Sequence, residues 1–196
     1  MSKTTAPGAT DRTVLQIQVR NLGGDHCRRA LETVKRHCDL PAIASWRATN
    51  GNEGGNCFFA TTHAAIDLVR AGMTRDCLLV TGRFDHPDVD GPVYHAWLEF
   101  RHVSPWAVVN VSRLQDKPLY TIPRRQFYEI NHCRKRIQEV PLTRLRVKAA
   151  QMSRRNQEHD GHPGIDIRAL THRVLGPTLS LLPPLQTDPP LPDSDS

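Results

Sequence analysis

The sequence predicts an α+β protein in which a helix packs on an antiparallel sheet. Three apolar stretches, residues 77–84, 93–100 and 106–112, are joined by short polar turns, which is typical of consecutive antiparallel strands. Residues 57–71 instead carry apolar side chains at helical spacing. At 196 residues the chain is long enough to bury a core between such a helix and such a sheet.

Ahead of that helix, the pattern predicts a strand, another helix and a loop. Residues 14–20 alternate apolar and polar side chains, as in a strand with one buried face. A helix is expected over residues 26–38, with Asp25 as its N-cap and Pro41 at its end. Residues 49–56 hold three glycines and three asparagines, a composition that favours a loop.

Two parts of the chain invite a metal interpretation. Residues 85–91 contain three aspartates and a histidine, but the later glutamate of a calcium-binding EF-hand loop is missing. We interpret them as a solvated hairpin turn. The pairs His26–Cys27 and His37–Cys38 lack the close ligand spacing of a structural zinc site. We therefore expect no metal and no cofactor.

The C-terminal third is predicted to be helical at first and then unpacked. Residues 124–140 are interpreted as an amphipathic helix with basic residues on its exposed face, and residues 142–157 as a second helix. From Gly176 onward the chain holds six of its fifteen prolines and is expected to be disordered or extended. The expected organisation is a disordered lead-in over 1–13, a core over 14–120, a basic helical extension over 121–175 and a proline-rich disordered tail over 176–196.

The five cysteines point to a reducing compartment. Their number is odd and they show no CxxC spacing, so a disulfide framework is not expected in a chain of this size. The first residues are polar and lack the apolar segment of a secretory signal. No stretch approaches the roughly 20 apolar residues of a membrane-spanning helix. We expect a cytoplasmic protein with no membrane partner.

The net charge of +6 is concentrated in one segment. Residues 124–155 contain ten lysines and arginines but only two glutamates. Three interpretations stay open: a surface that binds the phosphate backbone of nucleic acid, a surface that docks an acidic protein or peptide substrate, and a solvated face without a partner. The residues assigned to this basic patch are Arg134, Lys135, Arg136, Arg144, Arg146 and Lys148.

Cys57 is a candidate nucleophile because of its place in the chain. It follows Gly-Gly-Asn and begins the predicted helix, for which Asn56 is a candidate N-cap. A cysteine in the first turn of a helix lies near backbone N–H groups and the positive end of the helix dipole, and both favour the reactive thiolate. The N–H group of Cys57 can also donate to a developing oxyanion, and Asn52 and Asn56 are further candidate donors.

His95 and Asn110 can supply the base and its orienting group. Each is a polar residue within a predicted apolar strand, where such a side chain needs hydrogen-bond partners. If the two strands pair through the short turn between them, the two side chains share a face of the sheet. Asn110 then holds the imidazole while His95 faces the sulfur of Cys57, as acyl-transfer chemistry requires. Trp97, two residues further along the strand, is expected to shield the pair from water or to fill the core.

Residues 52–115 resemble the catalytic core of the transglutaminase-like branch of papain-fold cysteine enzymes. The likeness rests on a Gly-x-Cys motif that opens a helix at Cys57, on the motif His-Ala-Trp-x-Glu at residues 95–99, and on the order of the three polar residues. The resemblance implies a papain-like fold, with Cys57 as nucleophile, His95 as general base and acid, and Asn110 as orienting residue. The family usually has aspartate at this third position.

The expected function is that of a cysteine hydrolase or acyltransferase. Cys57 attacks an amide carbonyl and forms a thioester, which water or an amine then resolves. Hydrolysis is favoured, as in a thiol protease, an amidase or a deamidase. The alternative is a non-catalytic module that keeps this fold and binds nucleic acid or protein through its basic segment. An activated pair predicts labelling of Cys57 that depends on His95, whereas the alternative predicts slow and equal labelling of all five cysteines.

Overall fold

A six-stranded sheet carries helices on both of its faces in the computed structural model of this chain. The structure describes residues 19–49, 56–75, 77–85, 87, 90–101, 103–111, 119–160 and 164–182. Within these residues the elements are, in chain order, β1 (Val19–Asn21), α1 (Asp25–His37), α2 (Leu40–Thr49), α3 (Asn56–Arg70), β2 (Cys77–Phe84), β3 (Val93–Phe100), β4 (Ala107–Asn110), β5 (Leu119–Pro123), α4 (Arg124–Ile130), β6 (Cys133–Pro141), α5 (Leu142–Asp160) and α6 (Ile167–Leu179).

The strands lie in the order β1-β5-β4-β3-β2-β6. β1 runs parallel to β5, and the other neighbouring pairs are antiparallel. β2 and β3 form a hairpin in which Cys77 pairs with Phe100 and Phe84 with Val93. The α+β class predicted from the sequence is confirmed, and β2, β3 and β4 lie within the three apolar stretches that predicted strands.

The two faces of the sheet bury two separate apolar clusters. Ala96, Leu98 and Phe100 of β3 point to the helical face, where they pack with α1, α3, α5 and α6. Trp97 points to the opposite face, called here the α4 face, where it meets Phe127 of α4. Side chains of a strand alternate between its two sides, so His95 shares the α4 face with Trp97.

α1 matches the predicted helix, but its ends differ from the prediction. Its N-cap is Gly24, not Asp25. The Asp39 carboxylate accepts a hydrogen bond from the Ala42 N–H group (3.0 Å), and a second helix, α2, begins there. Pro41 lies in the first turn of α2 rather than at the end of α1. A proline is well tolerated at that place, because first-turn N–H groups have no acceptor within the helix.

α3 occupies the residues for which the apolar spacing predicted a helix. Asn56 is its first helical residue rather than the residue before it. The chain leaves α3 through Gly72, whose φ of 81° lies in the left-handed region. Glycine reaches that conformation without a steric penalty, which is why it ends helices so often.

The helix predicted over residues 124–140 is wrong over most of its length. α4 ends at Ile130, and after a turn in which His132 has a φ of 47° the chain enters β6. β6 pairs antiparallel with β2 and forms one edge of the sheet. Pairing with the β2 edge outweighs the local helix preference here. The segment expected to be a helical extension therefore contributes a strand to the main sheet.

α6 extends further than the sequence indicated. It runs through Gly176 and Pro177, into the segment expected to be disordered. The buried Thr178 hydroxyl lies 2.8 Å from the Thr81 hydroxyl of β2 and donates to Gln138 Oε1 of β6 (3.2 Å). These hydrogen bonds attach the last turn of α6 to the sheet.

Some predictions concern residues that the structure does not describe. They are the lead-in over 1–13, the first five residues of the strand predicted over 14–20, the loop residues 50–55, and the tail beyond residue 182.

Candidate active site

α3 and β3 run in the same direction. The Thr61 hydroxyl donates to the backbone carbonyl of Ala96 (3.3 Å), which places the second turn of α3 over the first half of β3. Beyond the other end of α3, Met73 lines a cavity together with Phe100, the last residue of β3. The N-terminal end of α3 therefore lies toward the beginning of β3.

This arrangement places Cys57 at the end of the sheet that carries His95, with Cys57 packed on the helical face and the His95 ring on the α4 face. Cys57 is the second residue of α3 and is half-buried. It lies one helical turn before Thr61, and His95 directly precedes the Ala96 carbonyl that Thr61 contacts. The N–H groups of the first turn of α3 lie at the same end, and they favour a negative charge on the sulfur.

His95 and Asn110 meet on the α4 face, across β3 and β4. His95 Nε2 lies 3.3 Å from Asn110 Oδ1. The other end of this buried amide is also engaged, because Asn110 Nδ2 donates to the Tyr120 hydroxyl (3.0 Å). An amide oxygen only accepts hydrogen bonds, so Nε2 of His95 carries the proton. Nδ1 is then the basic nitrogen of the neutral ring.

Aromatic rings surround the imidazole on the α4 face. The His95 ring centroid lies 5.5 Å from that of Phe84 and 6.4 Å from that of Trp97. The His95 and Trp97 rings are nearly parallel, at 22°. Trp97 is fully buried, so it excludes water from this side of His95 while it fills the core.

Gly82 leaves the space that Trp97 occupies. Gly82 lies on β2 and pairs with His95 of the neighbouring strand β3. A β-carbon at Gly82 would lie 2.5 Å from the Trp97 ring and 2.9 Å from the Lys135 carbonyl oxygen of β6. A glycine inside a predicted strand is the signal for such a close approach. The prediction from the sequence did not use that signal.

Glu99 is a functional candidate that the sequence prediction missed. It is fully buried, and its carboxylate accepts hydrogen bonds from the Trp97 indole (3.0 Å), from Arg136 Nη2 (3.1 Å) and from the Tyr128 hydroxyl. Arg124 Nε lies 3.4 Å away. A glutamate within an apolar strand needs such partners. The arginines of the basic segment are the sequence feature that could have indicated these partners.

The Glu99 cluster also fixes the protonation of Tyr128. Burial raises the pKa of Tyr128, and its hydrogen bond to Glu99 raises that pKa further. The phenol therefore keeps its proton and remains a donor to the carboxylate. Trp97 is held in turn through its indole N–H group, so the ring beside His95 cannot rotate without loss of a buried hydrogen bond.

The structure divides the basic patch into two parts. On β6, Arg134 and Lys135 are exposed, whereas Arg136 is mostly buried and pairs with Glu99 and with Glu139 (2.7 Å). The remaining members lie on α5, where Arg144 and Arg146 are exposed and Lys148 is half-buried. Arg136 therefore belongs to the protein interior rather than to a binding surface.

The candidate oxyanion donors have different outcomes. Asn52 falls outside the described residues. Asn56 opens α3 next to Cys57 and is buried. Its place beside the thiol keeps it a candidate.

The other cysteines lie in surroundings that suppress their reactivity. All five cysteines carry thiols, and Cys27, Cys38 and Cys77 are buried in the apolar core. Burial raises the pKa of Cys27 and of Cys38. For the half-buried Cys133, burial and then the charge of Glu99 raise the pKa to about 11.

Two kinds of feature are missing from the described residues. They contain no group of three or more histidine, cysteine, aspartate or glutamate side chains arranged to hold a metal ion. His86 and Asp88 of the loop that invited a metal interpretation fall outside them. None of the helices in this part of the chain combines the length and the apolar surface needed to cross a membrane.

No protein-family model, curated protein or solved structure matches this chain. The resemblance to the transglutaminase-like enzymes therefore depends on the sequence motifs alone.

Proposed function

We propose that this protein is a cysteine hydrolase or acyltransferase that acts on amide bonds. Cys57 is the nucleophile, His95 is the general base and acid, and Asn110 positions His95. The observation that carries the proposal is the 3.3 Å approach of His95 Nε2 to Asn110 Oδ1, at the end of the sheet where α3 begins and where Cys57 lies in its first turn.

Two further features support a papain-like core of the transglutaminase-like type. A helix with the thiol in its first turn packs on a sheet strand that carries the imidazole. The orienting side chain is on the next strand of the same sheet. The proposal extends to a cytoplasmic location, where thiols stay reduced, and to a protein or peptide substrate.

The reaction begins with transfer of the Cys57 proton to His95. The sulfur then attacks the carbonyl carbon of the amide, and a C–S bond forms as the carbonyl oxygen takes up negative charge. The C–N bond breaks while His95 gives its proton to the departing amine, which leaves a thioester on Cys57. Water or a second amine then attacks the thioester, His95 accepts its proton, and the thiol is released when the proton returns to sulfur.

The N-terminal end of α3 stabilises the charged species in this sequence. Its first-turn N–H groups have no acceptor within the helix and can donate to the thiolate or to the oxyanion of the tetrahedral intermediate. Asn110 contributes through His95, because its amide oxygen holds the Nε2 proton while Nδ1 exchanges protons with the sulfur and the substrate.

Alkylation of each cysteine tests the proposal. The protein is treated with iodoacetamide at about pH 6, where an ordinary thiol is protonated, and each cysteine peptide is quantified by mass spectrometry. Cys57 is expected to react fastest, and His95→Ala is expected to slow it by at least about tenfold. Cys133 serves as the internal reference, because its raised pKa leaves it almost entirely protonated. His37→Ala, a histidine substitution on α1, is the matched control.

Acylation adds a direct test of the chemistry. With p-nitrophenyl acetate we expect an acetyl thioester on Cys57, detected by intact mass and released by hydroxylamine. Alkylation of Cys57 no faster than that of Cys133, or an unchanged rate in His95→Ala, would show that the residues do not act together and would leave the binding module as the better interpretation.

A further inference from the structure

α5 presents an exposed surface of one charge sign. Its buried side is made of Leu142, Leu145, Ala149 and Met152, at the spacing of one helical face. The outward residues include five cations, and no acidic residue occurs in the helix before Glu158. The five are Arg144, Arg146, Lys148, Arg154 and Arg155.

These five cations form no ion pair within the described part of the chain, in contrast to basic residues elsewhere. Arg28 pairs with Asp25 at 2.9 Å, Arg125 with Glu129 at 2.8 Å, and Arg134 lies 3.8 Å from Asp85. Like charges on one side of a helix repel each other. A partner that supplies negative charge along α5 removes that repulsion.

The cations of α5 are spaced along the helix axis. Arg144, Lys148 and Arg155 are four and seven residues apart, so they project from one side of the helix over about 17 Å. Duplex nucleic acid carries about one negative charge per 1.7 Å of its axis. A repeating row of charges of this kind matches an extended row of phosphates better than it matches a single acidic side chain.

A cavity at the beginning of α5 adds positive charge on the other side of the helix, because Arg146 is rotated by about 200° from Arg144. It has a volume of about 480 Å³ and lies between α5 and the loop after α3. Arg75 and Arg146 line it from different elements, and Thr74 also lines it. Neither arginine forms an ion pair among the described residues. Two guanidinium groups at one opening suit a phosphate group, which accepts paired hydrogen bonds from arginine.

From these observations we infer that α5, with Arg75, is a surface that binds the phosphate backbone of duplex nucleic acid. The exposed residues of α5 include no aromatic side chain and one large apolar residue, Val147, so base stacking and an apolar protein interface are both disfavoured. Contacts to phosphate oxygens alone carry no information on base sequence. The inference does not depend on the proposed enzymatic function, because α5 contains none of the residues assigned to catalysis.

Two triple variants that remove equal charge test this inference. One is Arg144→Gln/Lys148→Gln/Arg155→Gln on α5. The other is Arg28→Gln/Arg125→Gln/Arg134→Gln, which removes three exposed cations that already have acidic neighbours. Binding to a fluorescein-labelled DNA duplex of mixed sequence is measured by anisotropy between about 50 and 200 mM salt. Circular dichroism establishes that both variants are folded.

We expect the logarithm of the affinity of the unmodified protein to fall with the logarithm of the salt concentration, with a slope of about −5 for the six cations. The α5 variant should lose roughly 2.7 of that slope and at least about tenfold in affinity near 100 mM salt. The control variant should keep the slope of the unmodified protein. Equal losses of affinity in both variants would show that binding depends only on net charge, and this would overturn the inference. Tighter binding of poly-L-glutamate than of the duplex would overturn it as well, in favour of an acidic protein partner.

Discussion

Asn110 stands where the proposed enzyme family usually has aspartate. Its amide has two different ends, and the structure uses both, with Oδ1 toward His95 and Nδ2 toward the Tyr120 hydroxyl. Tyr120 therefore anchors the end of the amide that is turned away from His95. An aspartate would present two oxygens that both accept hydrogen bonds. The asparagine gives up the negative charge that would stabilise an imidazolium.

This difference predicts the effect of Asn110→Asp. A carboxylate at this position favours the imidazolium and hence the ion pair of thiolate and imidazolium. We expect the rate of Cys57 alkylation at about pH 6 to rise by roughly tenfold, which corresponds to a change of about one pKa unit. Asn110→Ala should lower the same rate. A rate that is the same in all three proteins would mean that residue 110 does not act on the nucleophile.

Asp67 links α3, the helix that carries the candidate nucleophile, to the start of α2. Its carboxylate, on α3, accepts a hydrogen bond from the Asp39 N–H group (3.1 Å) at the start of α2. His63 Nδ1 lies 3.6 Å and Arg70 Nη1 3.4 Å from it. Burial works to raise the pKa of Asp67, but the nearby His63, the hydrogen bond from the Asp39 N–H group and the charge of Arg70 together outweigh it and hold the pKa below its usual value.

A carboxyl group with a lowered pKa stabilises the folded state in its ionised form. The contribution is fully present above the pKa of the unfolded chain, about 3.9, and is lost as the pH falls through the lower pKa of the folded state. Asp67→Asn should therefore reduce the free energy of unfolding by about 1–2 kcal/mol at neutral pH and by progressively less below about pH 4. Urea unfolding over this pH range measures the difference. Asp25→Asn, at an exposed aspartate, is the control. A loss of unfolding free energy that does not depend on pH would contradict the lowered pKa assigned to Asp67.

At the scale of the elements, the sequence predicted those that bury a regular apolar pattern. β2, β3 and α3 were predicted from the local spacing of their apolar residues. Each of these elements has such a pattern because one or both of its faces lie in the core. β6 was mistaken for a helix, since its charged residues show no clear two-residue alternation and its pairing with β2 is set by residues far away in the chain. The local sequence of a strand does not indicate a pairing partner that is distant in the chain.

The same distinction applies to the candidate site. His95 and Asn110 were predicted together because each is a polar residue in an apolar strand, and the structure places them within 3.3 Å. Tyr120 and Glu99 were missed. Tyr120 lies in a strand that the sequence did not predict, and the partners of Glu99 come from α4 and β6, which were read as one continuous helix.

Glu99 connects parts of the chain that are distant in sequence. It stands near the centre of the sheet on β3 and binds Arg136 of the edge strand β6 and Tyr128 of α4. Buried carboxylates are costly unless they are fully paired, and two arginines and two neutral donors surround this one. Arg124 and Arg136 in turn need the carboxylate as their counter-charge.

Removal of that carboxylate should weaken the entire fold. Glu99→Ala leaves Arg124 and Arg136 without their buried counter-charge, and we expect the free energy of unfolding to fall by about 3–5 kcal/mol. Glu139→Ala is the matched control, since Glu139 pairs with Arg136 and Arg101 near the surface and should contribute less than about 1 kcal/mol. Chemical denaturation of the two variants provides the comparison. Equal and small losses would show that the arginines reach water when Glu99 is absent.

The position of β6 has a consequence for the synthesis of this protein. β2 pairs with β6 along one side, yet β3, β4, β5 and α4 all leave the ribosome between them. Until translation has passed residue 141, a nascent chain displays β2 as a bare strand edge, to which foreign strands can add. β6, the last strand within the described residues, covers the β2 edge and becomes the new edge, which carries the exposed charges of Arg134 and Lys135.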